Sequence, residues 1–253
     1  MRNSIGVGLG IGITKTGREW SPRAIGNSLQ LWVRADLGVD IVAGRVTTWN
    51  DQSGKGRHFA QVTFSKQPDV TANYTGTKPA VFFDGTTRIV GSNWSLNTLT
   101  GSADVFIVAK VEQDPSTSLK GNGGCWQLAS PEGDEDRLPY INGQTRCGIF
   151  SLTNRVVGTF GANYYTQPRI VSVYSSTAAW SFMIDGVEKF NSPTNTFYSG
   201  AGLLGSTALG GDPDRLDTRM FGGIAECIIA SPALTSNQRT NTLKYLKSRY
   251  GIT

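Results

Sequence analysis

The side chains in this sequence that could do chemistry are few, and most are carboxylates. Glu132-Gly133-Asp134-Glu135-Asp136 is the dense acidic run. On an extended strand Glu132, Asp134 and Asp136 would share one face, because side chains alternate with a period of two. Two carboxyls held about 5 Å apart are what a retaining glycosidase uses. The run follows Ser130-Pro131 and contains Gly133, however, and that is the composition of a loop. Asp212, Asp214 and Asp217, around Pro213, form a second acidic loop. Oxygen-rich loops can hold calcium, so Asp134, Asp136, Asp212 and Asp214 are the metal candidates, although no EF-hand spacing surrounds them. His58 is the single histidine, and triads and zinc sites usually draw on histidine. Cys125, Cys147 and Cys227 form no CxxC pair and read as buried thiols, with a disulfide between two of them left open. No residue is assigned a catalytic role. The chain is expected to be non-enzymatic, with calcium as its one candidate cofactor.

Sugar recognition uses exposed aromatic faces. Of six tryptophans, Trp32, Trp49, Trp126 and Trp180 lie in or beside β-type runs, where core packing is the default. Trp94, in Gly91-Ser92-Asn93-Trp94-Ser95, and the pair Tyr164-Tyr165 lie in loop-like sequence. These three are the candidates for contact with a glycan or a partner. Asn73-Tyr74-Thr75 and Asn93-Trp94-Ser95 match glycosylation sequons but are discounted, because the start of the chain lacks the apolar core of a signal peptide.

The elements carrying these residues read as β. The 253 residues suffice for one large β domain or two small ones. The 31 glycines are about 12% of the chain against a usual value of roughly 7%, which points to many tight turns. Candidate strands are 29–35, 46–50, 80–83, 105–111, 125–129, 146–151, 156–160, 169–175, 179–184, 202–204 and 224–230. Asp51-Gln52-Ser53-Gly54, Asp84-Gly85, Asn142-Gly143 and Asp185-Gly186 supply turns between them. Asp185-Gly186 is the clearest hairpin. Many strands without intervening helices predict an antiparallel sandwich or jelly roll. One helix is predicted near the end, over 237–249, with a cap in Leu234-Thr235-Ser236 and Gly251 as its stop.

The first segment, Ile5-Gly6-Val7-Gly8-Leu9-Gly10-Ile11-Gly12-Ile13, alternates apolar residues with glycine. Extended, it places Ile5, Val7, Leu9, Ile11 and Ile13 on one face and nothing on the other. That suits strand addition onto another sheet, and the segment is read as an assembly arm. An edge strand of its own domain and a disordered terminus are the alternatives. Residues 14–28 look like a polar linker, so 1–27 reads as arm and linker and 28–253 as the β domain. The net charge of +5 splits into +3 over residues 1–23, +4 over 237–253 and therefore −2 in between. That distribution argues against a nucleic-acid groove. No apolar run approaches the roughly 18 residues of a membrane span, so a soluble protein not exported by the usual route is expected.

Five motifs in order resemble a known family. They are Leu31-Trp32-Val33-Arg34-Ala35-Asp36; Trp49-Asn50-Asp51-Gln52-Ser53-Gly54; Lys78-Pro79-Ala80-Val81-Phe82-Phe83-Asp84-Gly85; Asp185-Gly186; and Phe221-Gly222-Gly223-Ile224-Ala225-Glu226 running on to Leu243-Lys244-Tyr245-Leu246-Lys247-Ser248-Arg249-Tyr250-Gly251-Ile252. Over residues 28–252 the chain is similar to the laminin-G-like, concanavalin A-like jelly rolls of bacterial surface proteins and phage structural proteins. The resemblance implies two antiparallel sheets packed face to face, in a family whose members bind glycans or proteins or are structural. Glucanases on this fold carry their acids on one strand with bulky apolar residues between them, a pattern the 132–136 run lacks. The glycine-alternating start resembles phage virion proteins. The expectation is therefore a virion structural protein, decorating a capsid or forming part of a tail or baseplate, with other virion proteins or copies of itself as partners. The alternative is a carbohydrate-binding adhesin for cell-surface glycans.

Overall fold

A computed structural model describes residues 19–91, 96, 99, 101–112, 124–127, 136–137, 144–160, 164–199, 208–210 and 220–253. The predicted strand at 202–204 lies outside them, as does the arm. Two ten-residue strands organise the chain, β8 (Ser102–Val111) and β17 (Phe221–Ala230). Both are buried almost throughout. Antiparallel strands usually alternate buried and exposed residues. These do not, because both faces of their sheet are covered. Val105, Ile107, Ile224, Cys227 and Ile229 enter the core between the two sheets. Phe106, Val108, Ala225 and Ile228 enter a second core on the other face.

The remaining elements fall in chain order. They are β1 (Leu29–Arg34), β2 (Val39–Val42), β3 (Arg45–Trp49), β4 (Phe59–Ala60), β5 (Asp69–Thr71), β6 (Ala80–Asp84), β7 (Ile89–Gly91), β9 (Gly124–Gln127), β10 (Asp136–Arg137), β11 (Gln144–Cys147), β12 (Arg155–Thr159), β13 (Arg169–Ser176), β14 (Trp180–Ile184), β15 (Val187–Ser192), β16 (Ala208–Leu209) and α1 (Ser236–Tyr250). The first sheet runs β15-β14-β13-β8-β17-β6-β5, with β1 also paired to β17. The second runs β12-β11-β10-β9-β16-β7-β4-β3-β2. Among the described residues every strand pair is antiparallel. This is the expected two-sheet jelly-roll sandwich with a single α-helix among the described residues. That helix lies over the outer face of the first sheet, so the molecule has three layers.

The Asp185-Gly186 hairpin forms as read: φ is +53° and +80° at the two turn residues, the pair of positive values that a two-residue hairpin turn needs. The helix is capped by Thr235, whose hydroxyl accepts from the Gln238 amide at 3.3 Å while the Gln238 side chain accepts from the Thr235 amide at 3.1 Å. Gly251 ends it in the left-handed conformation. The expected linker needs correction. Residues 22–28 are a 3-10 stretch in which Pro22 and Ile25 are buried, and Trp20 packs on Tyr245 of α1. Ile25 belongs to the outer core, so this segment is part of the domain.

Candidate functional site

The first and the last of the family-like motifs meet beneath α1. In β17 the pairing with β8 steps from Ile224–Ala109 to Glu226–Val108, leaving Ala225 as an extra residue. Such a bulge lets two consecutive side chains face the same way, and here Glu226 joins Ala225 on the outer face. The Glu226 carboxylate accepts from Trp32 Nε1 at 2.6 Å, the Tyr250 hydroxyl at 2.8 Å and the Tyr245 hydroxyl at 3.0 Å. Arg249 Nε lies 3.4 Å away. Glu226 is fully buried. Burial raises its pKa, against the opposing pull of those donors and of the Arg249 and Arg34 charges. Beside it, Asp36 takes two bonds from Arg34 at 3.1 Å and one from Arg249. Burial alone would raise Asp36, but the two guanidiniums outweigh it and hold the carboxyl below its usual range. Buried Asp104 completes the helix dock, accepting from the Leu234 amide at 2.7 Å and from Arg239 Nε at 2.8 Å.

The other motif acids tie loops. Asp51 accepts from the Trp32 amide at 3.0 Å, from the Ser53 amide and hydroxyl at 2.8 and 2.6 Å, and from the Arg57 amide at 3.1 Å. His58 Nδ1 accepts from the Asp51 amide at 3.1 Å, so the single histidine fastens the same loop. Asp84 holds Thr86 and Thr87, and Asp185 holds the Ile170 amide and Arg169. The residues that carry the resemblance are therefore scaffold.

The contact candidates fare differently. Trp94, Asp134, Asp212, Asp214 and the arm residues Ile5, Val7, Leu9, Ile11 and Ile13 lie outside the described residues. Asp136 is described in its backbone alone, paired with Trp126 in the second sheet. Tyr165 is a correction: it is 4% exposed, packs in the core and shares a 2.8 Å bond with Thr145. It offers no face to a ligand. Tyr164 is half-buried, and its ring already stacks on Phe160, at 4.9 Å between centroids, and carries the Arg169 guanidinium at 4.3 Å. Trp49 and Trp180 are core residues as expected. Trp32 is buried on the helix side. Cys147 and Cys227 are buried thiols, as expected. Among the described residues no group of three or more His, Cys, Asp or Glu is arranged to hold a metal.

An open pocket of about 360 Å³ lies where the start of β13, the turn after β5 and the end of α1 meet. Thr75, Gln167, Pro168, Arg169, Tyr250 and Ile252 line it. Its size is within the usual range for small ligands, roughly 300–1,000 Å³. Arg169 is held in place by Asp185 at 2.9 Å, by the Tyr164 carbonyl at 3.2 Å and by the Tyr164 ring. Gln167 is exposed. The lining contains no Asp or Glu side chain, so it offers donors to a hydroxyl-rich or anionic ligand and no acid–base pair. The sequence does not announce this pocket, because its lining comes from separate segments with ordinary loop composition.

No protein-family model matches the chain, and no curated protein matches it in sequence. Solved structures do. Domain 4 of AbnA, a GH43 extracellular arabinanase from Geobacillus stearothermophilus solved with arabinotriose, is similar at TM-score 0.53 and 18% identity, over 85% of this chain and 98% of that one. The Trypanosoma rangeli sialidase solved with sialic acid matches at TM-score 0.56 and 14% identity, over 88% of this chain and 33% of the sialidase. The botulinum neurotoxin serotype D binding domain matches at TM-score 0.55 and 14% identity, over 89% and 53%. At these identities the likeness shows the fold.

Proposed function

We propose that this chain is a non-enzymatic, glycan-recognising β-sandwich module, and that the pocket beside Arg169 receives the sugar. The pocket's chemistry carries the reading. Arg169, held by Asp185, and the exposed Gln167 line the pocket together with the apolar Pro168 and Ile252, a composition that suits a sugar's hydroxyls and its C–H face. Glycoside hydrolysis calls for two carboxyls, about 5–5.5 Å apart to retain configuration or about 6.5–9.5 Å apart to invert it. The lining side chains supply neither. The likeness to an arabinanase domain solved with arabinotriose, over nearly the whole of that domain, supports the same class of ligand.

The test is calorimetric titration of the intact chain with arabinotriose and with sialic acid, alongside Gln167→Ala. The expected result is binding of one of them, weakened about tenfold or more by the substitution, which corresponds to roughly 1.4 kcal/mol. Absence of binding to either sugar and across a glycan array would overturn the proposal. So would a Gln167→Ala chain that binds like the wild type.

A second reading concerns where the module is carried. The glycine-alternating run from Ile5 to Ile13 favours a chain built into a virion, on a capsid or a tail, with other virion proteins or further copies as partners. On that reading the arm anchors the chain and the sandwich faces outward. Self-association of the full chain tests it.

A further inference from the structure

Eight large apolar side chains are exposed among the described residues, and five of them, Leu37, Ile41, Val42, Val62 and Phe64, fall between residues 37 and 64. Leu37 precedes β2, Ile41 and Val42 lie on it, and Val62 and Phe64 lie in the loop after β4. Among the described residues β2 is the last strand of the second sheet and pairs with β3 alone. The loop bearing Val62 and Phe64 is drawn alongside the β2–β3 hairpin by bonds from the Val46 amide to the Pro68 carbonyl at 2.8 Å and from Arg45 Nη1 to the Gln67 carbonyl at 3.3 Å.

The other terminal strands are protected in the usual ways, by charge or shortness. β15 carries Glu188 and Lys189. β5 is three residues long, and its Asp69 pairs with Arg45. β12 begins with Arg155, which bonds Ser151 and Asn195. β2 is the more apolar edge: Ile41 is 52% and Val42 61% exposed beside its one charge, Asp40, which Asn50 engages at 3.0 Å. Val39 packs on the core, so Ile41, two residues on, prolongs the core face beyond its cover.

We infer that the β2 edge is the acceptor for the arm, residues 5–13, of a second copy of this chain. The inference rests on the assembly reading of that arm and names its partner surface. Added beside β2, the five apolar arm residues continue the row of Val39 and Ile41, and the glycine face leaves the solvent side bare. Arg2 and Lys15 flank the apolar run and bring positive charge toward Asp40. One added strand covers the edge but not Val62 and Phe64, which the body of a second molecule would cover.

The experiment is light scattering on the full chain over a concentration series, for wild type, Leu9→Lys and Ile41→Lys, with circular dichroism confirming the fold of each. Ile41 is half-exposed, so its substitution leaves folding intact. The expected result is a self-associating wild type and an association weakened about tenfold or more by either substitution, a loss of roughly 1.4 kcal/mol. A wild type that stays monomeric overturns the inference and leaves the arm only a different protein as its partner. Association lost in Leu9→Lys but intact in Ile41→Lys overturns the β2 acceptor while leaving the arm as an assembly element.

Discussion

Glu226 is the residue on which the first and last family-like motifs converge, and its chemistry is that of a dock. It meets three neutral donors and the Arg249 guanidinium without contact with solvent. Burial nevertheless raises its carboxyl, and that of Asp104, above the ordinary value. The folded chain then holds these protons to higher pH than the unfolded chain does. Their contribution to stability is complete below the unfolded carboxylate range, near about pH 4, and is lost as pH rises through the folded values. Asp36 and Asp84 are lowered, so their contribution is present above that range and is lost as pH falls through the folded values. Glu226→Gln should therefore flatten the fall in melting temperature as pH rises above the ordinary carboxylate range, relative to wild type. Thermal melts in a pH series check this, and an unchanged slope would clear Glu226 of any part in it. None of this was legible in the sequence, where Glu226 is only the last letter of a motif. Its partner Trp32 is 194 positions away.

At the scale of elements, β17 shows how local sequence and distant neighbours divide the work. Gly222 and Gly223 look like turn residues but sit inside one of the two ten-residue strands. A Cβ at Gly222 would come within 2.4 Å of the Lys110 carbonyl oxygen and 2.7 Å of Val111 Cα. Both are backbone atoms of β8, so neither can move aside as a side-chain tip could. Gly222→Ala should cost about 1–3 kcal/mol through overpacking, measured by denaturant unfolding. The helix was readable from sequence because Thr235, Gln238 and Gly251 act within a turn of their own positions. The hairpin at Asp185-Gly186 was readable for the same reason. The strands β4, β5 and β7 were not, because two or three residues carry no alternation, and they extend only because a partner strand is beside them. The pocket shares that difficulty: Gln167, Thr75 and Ile252 meet through the fold and have no common signature.

At the scale of the whole molecule, the question is where the domain starts. Composition placed a linker up to residue 28, since Pro22-Arg23-Ala24-Ile25-Gly26-Asn27-Ser28 is polar and carries both proline and glycine. A 3-10 stretch that touches the core through two residues leaves no periodic mark, so composition misses it. Yet Ile25 lies in the outer core with Leu29, Trp32, Leu234 and Leu246, and Trp20 leans on Tyr245 at 5.8 Å. The outer layer is thus made from both ends of the described chain, α1 and the segment from residue 19. At concentrations low enough for the full chain to be monomeric, a chain beginning at residue 19 should melt with it, because it keeps the described outer layer whole. A chain beginning at residue 29 uncovers the site of Ile25, a loss of about 1.5–3 kcal/mol for one buried aliphatic side chain. At about 2–4 °C per kcal/mol for a domain of this size, its midpoint should fall by several degrees. Equal midpoints for the three chains would mean that α1 covers the sheet unaided and that the domain begins at β1. A drop confined to the chain starting at 29 would make the segment from 19 a working third of the helix dock, and would fix residue 18 as the last that an assembly arm can use.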